Sequence, residues 1–224
     1  MVLNLKYNDD HKYEIGVDEA GKGPMFGRVY CASVILNDME NIRHDLIKDS
    51  KKFTSTKKIK EAYDYIKENA FAYSVCYEEP AVIDKINIRE ATLSCMHNSI
   101  VNVLNQYDND EESLILVDGN DFKPLIRNKM NNIYAVKHVT VIGGDNTYTS
   151  IAAASILAKV ERDAYIYDLC EKNSILVEKY DLLSNKGYGT KKHMEGIKYN
   201  GITDLHRKSY GICKTLDVSV KLVK

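Results

Sequence analysis

The chain has 224 residues, of which 44% are hydrophobic and 28% are charged, and this composition is typical of a folded globular protein rather than a disordered one. No apolar run approaches the ~20 residues that a membrane-spanning helix needs, and residues 1–12 are polar, so we expect an intracellular, cytoplasmic protein. The formal net charge of −1 gives no overall signal for nucleic acid, so a nucleic-acid site would have to be a local basic surface.

The first half of the chain predicts two paired strands and then alternating helices and strands. A strand that ends in a glycine-rich bend is followed by a second, β-branched run, which predicts a hairpin. The predicted elements are strands at Tyr13–Val17, Val29–Leu36 and Phe71–Tyr77, and helices from a Ser55 cap to about Asn69 and from Ile88 to about Leu104.

The second half predicts two further strands, a long helix and a small C-terminal region. The strands are Leu114–Val117 and Ile133–Ile142, and a helix capped by Ser150 runs from Ile151 to about Leu169. Three alanines open this helix and would let it lie close to the sheet. A short helix is predicted at Lys191–Tyr199. We expect an α/β fold in which residues 1–172 form the main domain and residues 173–224 form a helical appendage packed on it.

Acidic residues stand where predicted strands give way to loops. Asp18 and Glu19 end the first strand, Asp118 ends the fourth, and Asp145 follows the fifth. Ligands gather at such edges of α/β sheets, and carboxylates that converge there repel each other unless a cation neutralises them. Oxygen-only ligands favour Mg²⁺ or Mn²⁺ and hence phosphodiester chemistry. Any one of these acids could instead be an ordinary turn former.

The cysteines and the basic segments give weaker signals. Five scattered cysteines without a CxxC or Cys/His cluster predict free thiols rather than disulfides or a zinc site. Lysines crowd residues 48–60, and lysine, histidine and arginine crowd residues 186–208. These segments could contact nucleic acid, or they could be solvated lysine faces.

The segment from Gly16 to Gly27, GVDEAGKGPMFG, resembles the signature of the type 2 ribonuclease H family, ribonuclease HII. The resemblance continues in order over roughly residues 13–210, nearly the whole chain. It includes Asp49-Ser-Lys-Lys52, Val117-Asp-Gly119, Gly144-Asp145, the run from Ser150 to Val160 with Arg162-Asp163, Gly187-Tyr-Gly-Thr190 and His206-Arg207. It implies a ribonuclease H-like mixed five-stranded sheet flanked by helices, with a small helical C-terminal region.

The resemblance also implies roles for particular residues. Asp18, Glu19, Asp118 and Asp145 match the family's catalytic, metal-binding acids. Gly21-Lys22-Gly23 matches a tripeptide whose backbone recognises the ribose 2′-hydroxyl, the group that distinguishes RNA from DNA. Tyr188 matches a tyrosine that contacts the nucleotide at the RNA-to-DNA junction. Candidates for phosphate contacts or for support of the site are Lys51, Lys52, Lys159, His206 and Arg207.

Four positions depart from the family pattern. Lys22 replaces the usual arginine of the tripeptide and weakens any bidentate contact made by that side chain. Arg28 stands where proline is frequent, Gly143 where lysine is common, and Tyr148 where the residue is smaller. These changes could alter the substrate preference.

The resemblance implies an endoribonuclease that hydrolyses the RNA strand of RNA–DNA hybrids and cuts 5′ of single ribonucleotides in duplex DNA. Two Mg²⁺ or Mn²⁺ ions would support the reaction and leave 3′-hydroxyl and 5′-phosphate ends. A hybrid-only ribonuclease H, a structure-specific DNA nuclease and a non-catalytic hybrid-binding protein are the alternatives. We expect a monomer that binds RNA–DNA hybrid or ribonucleotide-containing DNA and no membrane. The C-terminus carries no sliding-clamp motif.

Overall fold

A computed structural model describes residues 3–36, 42–43, 45–107, 112–129 and 131–223. The strands are β1 (Tyr13–Ala20), β2 (Val29–Leu36), β3 (Ala70–Glu78), β4 (Ser113–Asp118), β5 (Ile126–Lys129), β6 (Asn132–Ala135), β7 (His138–Val141), β8 (Ile202–Thr203) and β9 (Val218–Val220). The α-helices are α1 (Thr56–Asn69), α2 (Pro80–Ile86), α3 (Ile88–Leu104), α4 (Thr149–Lys172), α5 (Ile175–Glu178), α6 (Leu182–Asn185) and α7 (Lys191–Asn200). Residue 224, at the end of the C-terminal tail, lies outside the described residues.

The main sheet has five strands in the order β3-β2-β1-β4-β7. The pairs β1–β4 and β4–β7 are parallel. Strands β1 and β2, which follow each other in the chain, are neighbours, as the sequence predicted. Strand β4 is buried along Ser113–Val117, which agrees with its continuous apolar sequence and with a strand covered on both faces.

The chain divides into two compact units. Unit 1 contains Met1–Ala20, Cys31–Cys76 and Leu93–Val160, and unit 2 contains Gly21–Tyr30, Tyr77–Thr92 and Glu161–Lys224. This division differs from the predicted boundary at residue 172. The prediction followed a change in composition along the chain, whereas the units are defined by contacts between segments that are distant in sequence.

Each unit has its own hydrophobic core. In unit 1 the core side chains come from β1, β2, β3, α3 and β4, and they include Ile15, Val17, Ile35, Met96, Ile100, Ile115 and Val117. In unit 2 they come mainly from α4, the short C-terminal helices and the loop before β2, and they include Phe26, Ile166, Leu176, Tyr180, Leu182 and Ile197.

Most predicted helices and strands are present in the structure. The start of α1 illustrates the local signal that made such a prediction possible. Ser55 has an extended backbone, and its side chain accepts a hydrogen bond from the N–H of Lys58, which otherwise has no partner in the first turn. This is the capping role that the sequence predicted. Helix α2 was not predicted; Pro80 occupies its first turn, where a missing N–H costs nothing.

Two predictions about the second half were wrong in detail. The strand expected at Ile133–Ile142 is two strands: β6 pairs with β5 in a separate hairpin, and β7 joins the main sheet. The chain changes partners between them, where the N–H of Val136 donates to Leu125. Ser150 does not cap α4, because the helix begins at Thr149 and the buried Ser150 hydroxyl has no hydrogen-bond partner among the described residues.

The small residues of α4 do allow a close approach, as expected. Ala152, Ala153 and Ala154 are fully buried. A Cβ atom added to Gly16 of β1 would lie 2.1 Å from the carbonyl carbon of Ser150. Glycine on the strand and alanines on the helix therefore bring the helix backbone against the strand that carries Asp18.

Within the part of the chain that the structure describes, none of the helices combines the length and apolar character that a membrane crossing needs. All five cysteines are free thiols, and four of them are buried. The prediction of free rather than paired thiols is confirmed.

We expect Gly16→Ala to lower the free energy of unfolding by about 3 kcal/mol, because the methyl group would overlap the helix backbone, which cannot move aside cheaply. The control is Gly143→Ala, where an added Cβ meets nothing within 4 Å and only the positive φ of 67° is strained. That control should lose about 1 kcal/mol. Urea unfolding of both variants measures the difference, and equal losses would contradict the close-packing explanation.

Candidate active site

The register of β1 and β4 places two aspartates next to each other. Val17 of β1 pairs with Val117 of β4 in a parallel ladder, so the next residues, Asp18 and Asp118, lie at the same level on neighbouring strands. Asp118 is the last residue of β4, whereas β1 continues past the predicted end to Ala20. Neighbouring strands are about 5 Å apart. Asp118 is in turn paired with Val141 of β7, four residues before Asp145.

These acids are held by hydrogen bonds within unit 1. Asp18 is only 5% exposed. Its Oδ1 atom accepts from the N–H of Glu19 at 2.7 Å, and its side chain also bonds Ser155 of α4. Oδ1 of Asp118 accepts from the N–H of Gly144 at 2.7 Å. This bond ties the end of β4 to the turn that carries Asp145.

The surroundings raise the pKa of two of these carboxyl groups. Burial raises the pKa of Asp18 well above its ordinary value, and repulsion by Glu19 and Asp118 adds to the effect. Burial and the charge of Asp145 also raise the pKa of Asp118. Such shifts cluster at functional sites, because stability alone gives no reason to bury like charges together.

Lys51 is the cation nearest to this group of acids in the described contacts. Its Nζ atom lies 3.3 Å from Oδ2 of Asp145, which is 4% exposed. Partial burial lowers the pKa of Lys51, but attraction by Asp145, Asp49 and Asp18 outweighs this effect and the pKa is raised. The ammonium group therefore offsets part of the negative charge.

A short network positions Lys51 and Lys52. Asp49 accepts from the N–H of Lys51 at 2.9 Å and from the side-chain amide of Asn146 at 3.1 Å. Lys52 donates to the Asn146 side chain rather than to the acids. The hydroxyl groups of Ser50, which lies between Asp49 and Lys51, and Ser155 form a hydrogen bond of 3.0 Å. The Asp49–Lys52 segment and α4 thus support the same acids.

The donor set fits a hard divalent cation by its chemistry. The acids offer oxygen atoms only, and their mutual repulsion would be relieved by positive charge. As the side chains stand, no three His, Cys, Asp or Glu groups among the described residues are close enough to form a metal cluster. The fit therefore rests on the donor type, the burial and the raised pKa values.

Unit 2 contains the residues that the family resemblance links to substrate recognition. Lys22 and Gly23 are exposed, and Gly21 is buried with a positive φ of 93°. A Cβ atom added to Gly23 would lie 3.4 Å from Cε1 of Tyr188, and the Tyr188 side chain is itself exposed. Gly23, the last residue of the Gly21-Lys22-Gly23 tripeptide, therefore lies beside the Tyr188 ring.

His206 is connected to Tyr188 through a second histidine. Nδ1 of His206 accepts from the backbone N–H of Thr203 at 3.0 Å, so its Nε2 atom carries the proton. That Nε2 atom lies 3.1 Å from Nε2 of His193, whose Nδ1 atom lies 2.9 Å from the carbonyl oxygen of Tyr188. Burial and the neighbouring His193 lower the pKa of His206 to about 3. The pair is neutral and orients the backbone at Tyr188.

Two buried arginines lie near the tripeptide. Arg207 is fully buried, and its guanidinium donates to backbone carbonyls of the loop from Gly21 to Gly27. Arg162 is 2% exposed and donates to the carbonyl of Lys186 at 2.7 Å. Burial lowers the pKa of Arg207 to about 10, so this side chain stays charged at neutral pH, and burial also lowers the pKa of Arg162.

The structure places the predicted site residues in two groups, one in each unit. The four acids and Lys51 are grouped in unit 1, and the tripeptide and Tyr188 are grouped in unit 2. Lys159 is half-buried on α4. His206 and Arg207 are buried, so of the two roles weighed for them the geometry favours support over direct phosphate contact.

Sequence reasoning missed several supporting residues. Ser155, Asp49 and Arg162 lie inside motifs that the resemblance had already marked, so their presence there was a usable signal. Asn146, His193 and Tyr210 had no such signal, because their importance depends on contacts between segments that are distant in the chain.

Solved structures identify the fold. Ribonuclease H2 from Pyrococcus horikoshii matches with a TM-score of 0.69 at 23% identity, covering 91% of this chain and 96% of that one. The ribonuclease HII of a PCNA complex from Archaeoglobus fulgidus matches with a TM-score of 0.67 at 25% identity, covering 89% and 96%. The predicted ribonuclease H-like mixed sheet is confirmed, and the fold together with the acidic strand ends defines a ribonuclease H-type hydrolase.

The family is established by sequence. The family model for ribonuclease HII matches residues 15–213. Ribonuclease HII from Francisella tularensis subsp. novicida is 40% identical over 196 residues, which are 88% of this chain and 95% of that protein. This chain belongs to the ribonuclease HII family and is a ribonuclease H, an enzyme class that hydrolyses the RNA strand of RNA–DNA hybrids.

We expect Asp18→Asn to stabilise the protein at pH 7 in the presence of a chelator by about 1–3 kcal/mol. A carboxyl whose folded pKa lies above its unfolded value destabilises the fold once the pH exceeds the unfolded value, so the gain should shrink as the pH falls toward 4. Urea unfolding between pH 5 and 8 measures this trend. The exposed control Asp64→Asn should change stability by less than about 0.5 kcal/mol, and a gain for Asp18→Asn that does not vary with pH would contradict the argument.

Proposed function

We propose that this enzyme cuts the RNA strand of hybrids and also cuts on the 5′ side of a single ribonucleotide in duplex DNA. The products would carry 3′-hydroxyl and 5′-phosphate ends. The observation that carries the proposal is the placement of the buried Asp18 beside the half-buried Asp118 on parallel strands, where the charge of Asp145 helps to raise the pKa of Asp118. Carboxylates in this arrangement suit the metal-assisted hydrolysis of a phosphodiester.

Asp18, Glu19, Asp118 and Asp145 would hold two Mg²⁺ or Mn²⁺ ions. When bound, such ions supply an activated water and stabilise the leaving oxygen. The hydrogen bonds from Ser155 and from the N–H of Gly144 orient Asp18 and Asp118 for this role. Lys51, at 3.3 Å from Asp145, would contact a phosphate oxygen or keep the charge of the acids balanced.

Selection for a ribonucleotide is assigned to the tripeptide Gly21–Gly23 and to Tyr188. Glycines let a backbone approach the sugar closely, and backbone donors can bind the 2′-hydroxyl. The exposed Tyr188 ring beside Gly23 can stack on the neighbouring nucleotide. Because DNA lacks the 2′-hydroxyl, an all-DNA duplex should resist cleavage.

The partner proposed for this chain is nucleic acid, either RNA–DNA hybrid or ribonucleotide-containing DNA, and the enzyme is proposed to act as a cytoplasmic monomer. The relative from Archaeoglobus was solved in complex with PCNA.

The central experiment incubates the purified enzyme with labelled duplex DNA carrying one ribonucleotide, with an RNA–DNA hybrid and with an all-DNA duplex. We expect cleavage immediately 5′ of the ribonucleotide, cleavage of the hybrid and no cleavage of DNA. Asp18→Asn should reduce the rate at least a hundredfold, because it removes a charged ligand. Cutting of the hybrid alone would favour the altered specificity suggested by Lys22 and Gly143, and no metal-dependent cutting of any substrate would contradict the proposal.

Metal binding can be tested apart from activity. Mg²⁺ or Mn²⁺ binds the folded state, so it should raise the melting temperature of the wild-type protein in a concentration-dependent way. Asp18→Asn should show little of this increase, whereas Asp64→Asn, on the exposed face of α1, should keep it. An equal increase in all three proteins would mean that the ions bind elsewhere.

A further inference from the structure

One arginine binds most of the loop that contains the glycine tripeptide. Nη2 of Arg207 donates to the carbonyl of Gly21 at 2.6 Å, and Nη1 donates to Lys22 at 3.2 Å and to Pro24 at 2.7 Å. Nε donates to Gly27 at 2.9 Å. The backbone N–H of Arg207 also donates to Met25, at 2.8 Å. A single side chain thus contacts carbonyls spread over seven consecutive residues, 21–27.

Tyr210 completes this arrangement. Its hydroxyl donates to the carbonyl of Lys22 at 2.7 Å, and Nη1 of Arg207 lies 3.3 Å from the same hydroxyl. The oxygen of Lys22 therefore accepts two hydrogen bonds, one from each side chain. Because a carbonyl oxygen has two lone pairs, this peptide group has little freedom to rotate.

These contacts decide which way the loop's N–H groups point. The peptide bonds are trans, and in a planar trans peptide the C=O and the following N–H point in opposite directions. With the carbonyls of Gly21 and Lys22 directed at Arg207, the N–H groups of Lys22 and Gly23 are directed away from it. Gly23 is also the residue that lies beside the Tyr188 ring.

The burial of Arg207 argues against an incidental role. Burying a guanidinium with no exposed surface costs free energy unless its N–H groups form hydrogen bonds. In Arg207 these N–H groups donate mainly to carbonyls of the loop at residues 21–27. Its planar fork can reach several carbonyls at fixed angles, whereas a lysine would offer a single point charge. The neighbouring Arg162 adds a second buried cation against Gly21, where an added Cβ would lie 2.2 Å from its Nε atom.

We propose that Arg207 and Tyr210 are positioning residues for ribonucleotide recognition, which present the N–H groups of Lys22 and Gly23 to the 2′-hydroxyl by holding the opposite carbonyls. This inference rests on the proposed function of the tripeptide. Arg207 does not itself contact the substrate. It sets the discrimination between a ribonucleotide and a deoxyribonucleotide through the backbone that it orients.

The test measures binding rather than turnover. In an Asp18→Asn background with magnesium, fluorescence anisotropy gives the affinity for a duplex with one ribonucleotide and for the matched all-DNA duplex. Arg207→Lys should lower the ratio of the two affinities about fivefold to tenfold. Tyr210→Phe, which removes one hydroxyl and no packing volume, should lower it about twofold to fivefold. Binding of the all-DNA duplex should change less than twofold.

A merely structural role would act differently. Partial unfolding reduces the active fraction for both duplexes equally and leaves their ratio unchanged. Asn173→Ala is the matched control, because Asn173 is a buried residue of unit 2 that bonds Leu169 and Val223 and not the loop. This variant should lose stability and keep the ratio. If Arg207→Lys fails to fold, as judged by circular dichroism, Tyr210→Phe decides the question alone.

The two proposals fail in distinguishable ways. If the parent protein binds both duplexes equally, ribonucleotide recognition by the tripeptide is wrong and this inference falls with it. If the parent discriminates but Tyr210→Phe and a folded Arg207→Lys keep the full ratio, recognition stands and the positioning role is overturned.

Discussion

The placement of the buried Asp18 beside the half-buried Asp118 on adjacent parallel strands is the constraint on which the rest of unit 1 depends. Two like charges in a poorly solvated place destabilise the fold, and the raised pKa values record that cost. Other interactions in unit 1 must offset this free-energy cost. They come from a well-packed apolar sheet, hydrogen bonds from Ser155 and Gly144, and the ammonium of Lys51.

The same constraint explains why small residues surround the acids. Gly16 allows the backbone of α4 to approach β1, and this approach brings Ser155 within reach of Asp18. The left-handed conformation at Gly143 turns the chain so that Gly144 can donate to Asp118. A lysine at position 143 would adopt this conformation less readily than glycine, so Gly143 fits the local backbone of this chain.

In unit 2 the buried charges are positive instead of negative. Buried arginines bind the carbonyl groups of the neighbouring backbone. Arg207 and Arg162 are buried. The Arg207 side chain donates to carbonyl oxygens of the loop from Gly21 to Gly27, and Nη2 of Arg162 donates to the carbonyl of Lys186. The histidine pair orients the backbone at Tyr188 through a fixed order of donors and acceptors. Rigid support of this kind suits a surface that must distinguish one hydroxyl group, because a loose loop would adapt to either sugar.

The sequence by itself determined the features that depend on neighbouring residues. Strand and helix periodicity, the Ser55 cap and the acids at strand ends are local, so the five-stranded sheet and the four acids could be predicted, and the family motifs added the tripeptide and Tyr188. Only the tertiary structure decided the partition of residues 133–142 between two sheets, the start of α4 before Ser150, and the division into two units. It also showed that His206 and Arg207 are buried, which favours support of the site over phosphate contact, the two roles that the sequence left open. Their partners include His193, thirteen residues away, and Gly21, 186 residues away, and no local pattern specifies a hydrogen bond across such distances.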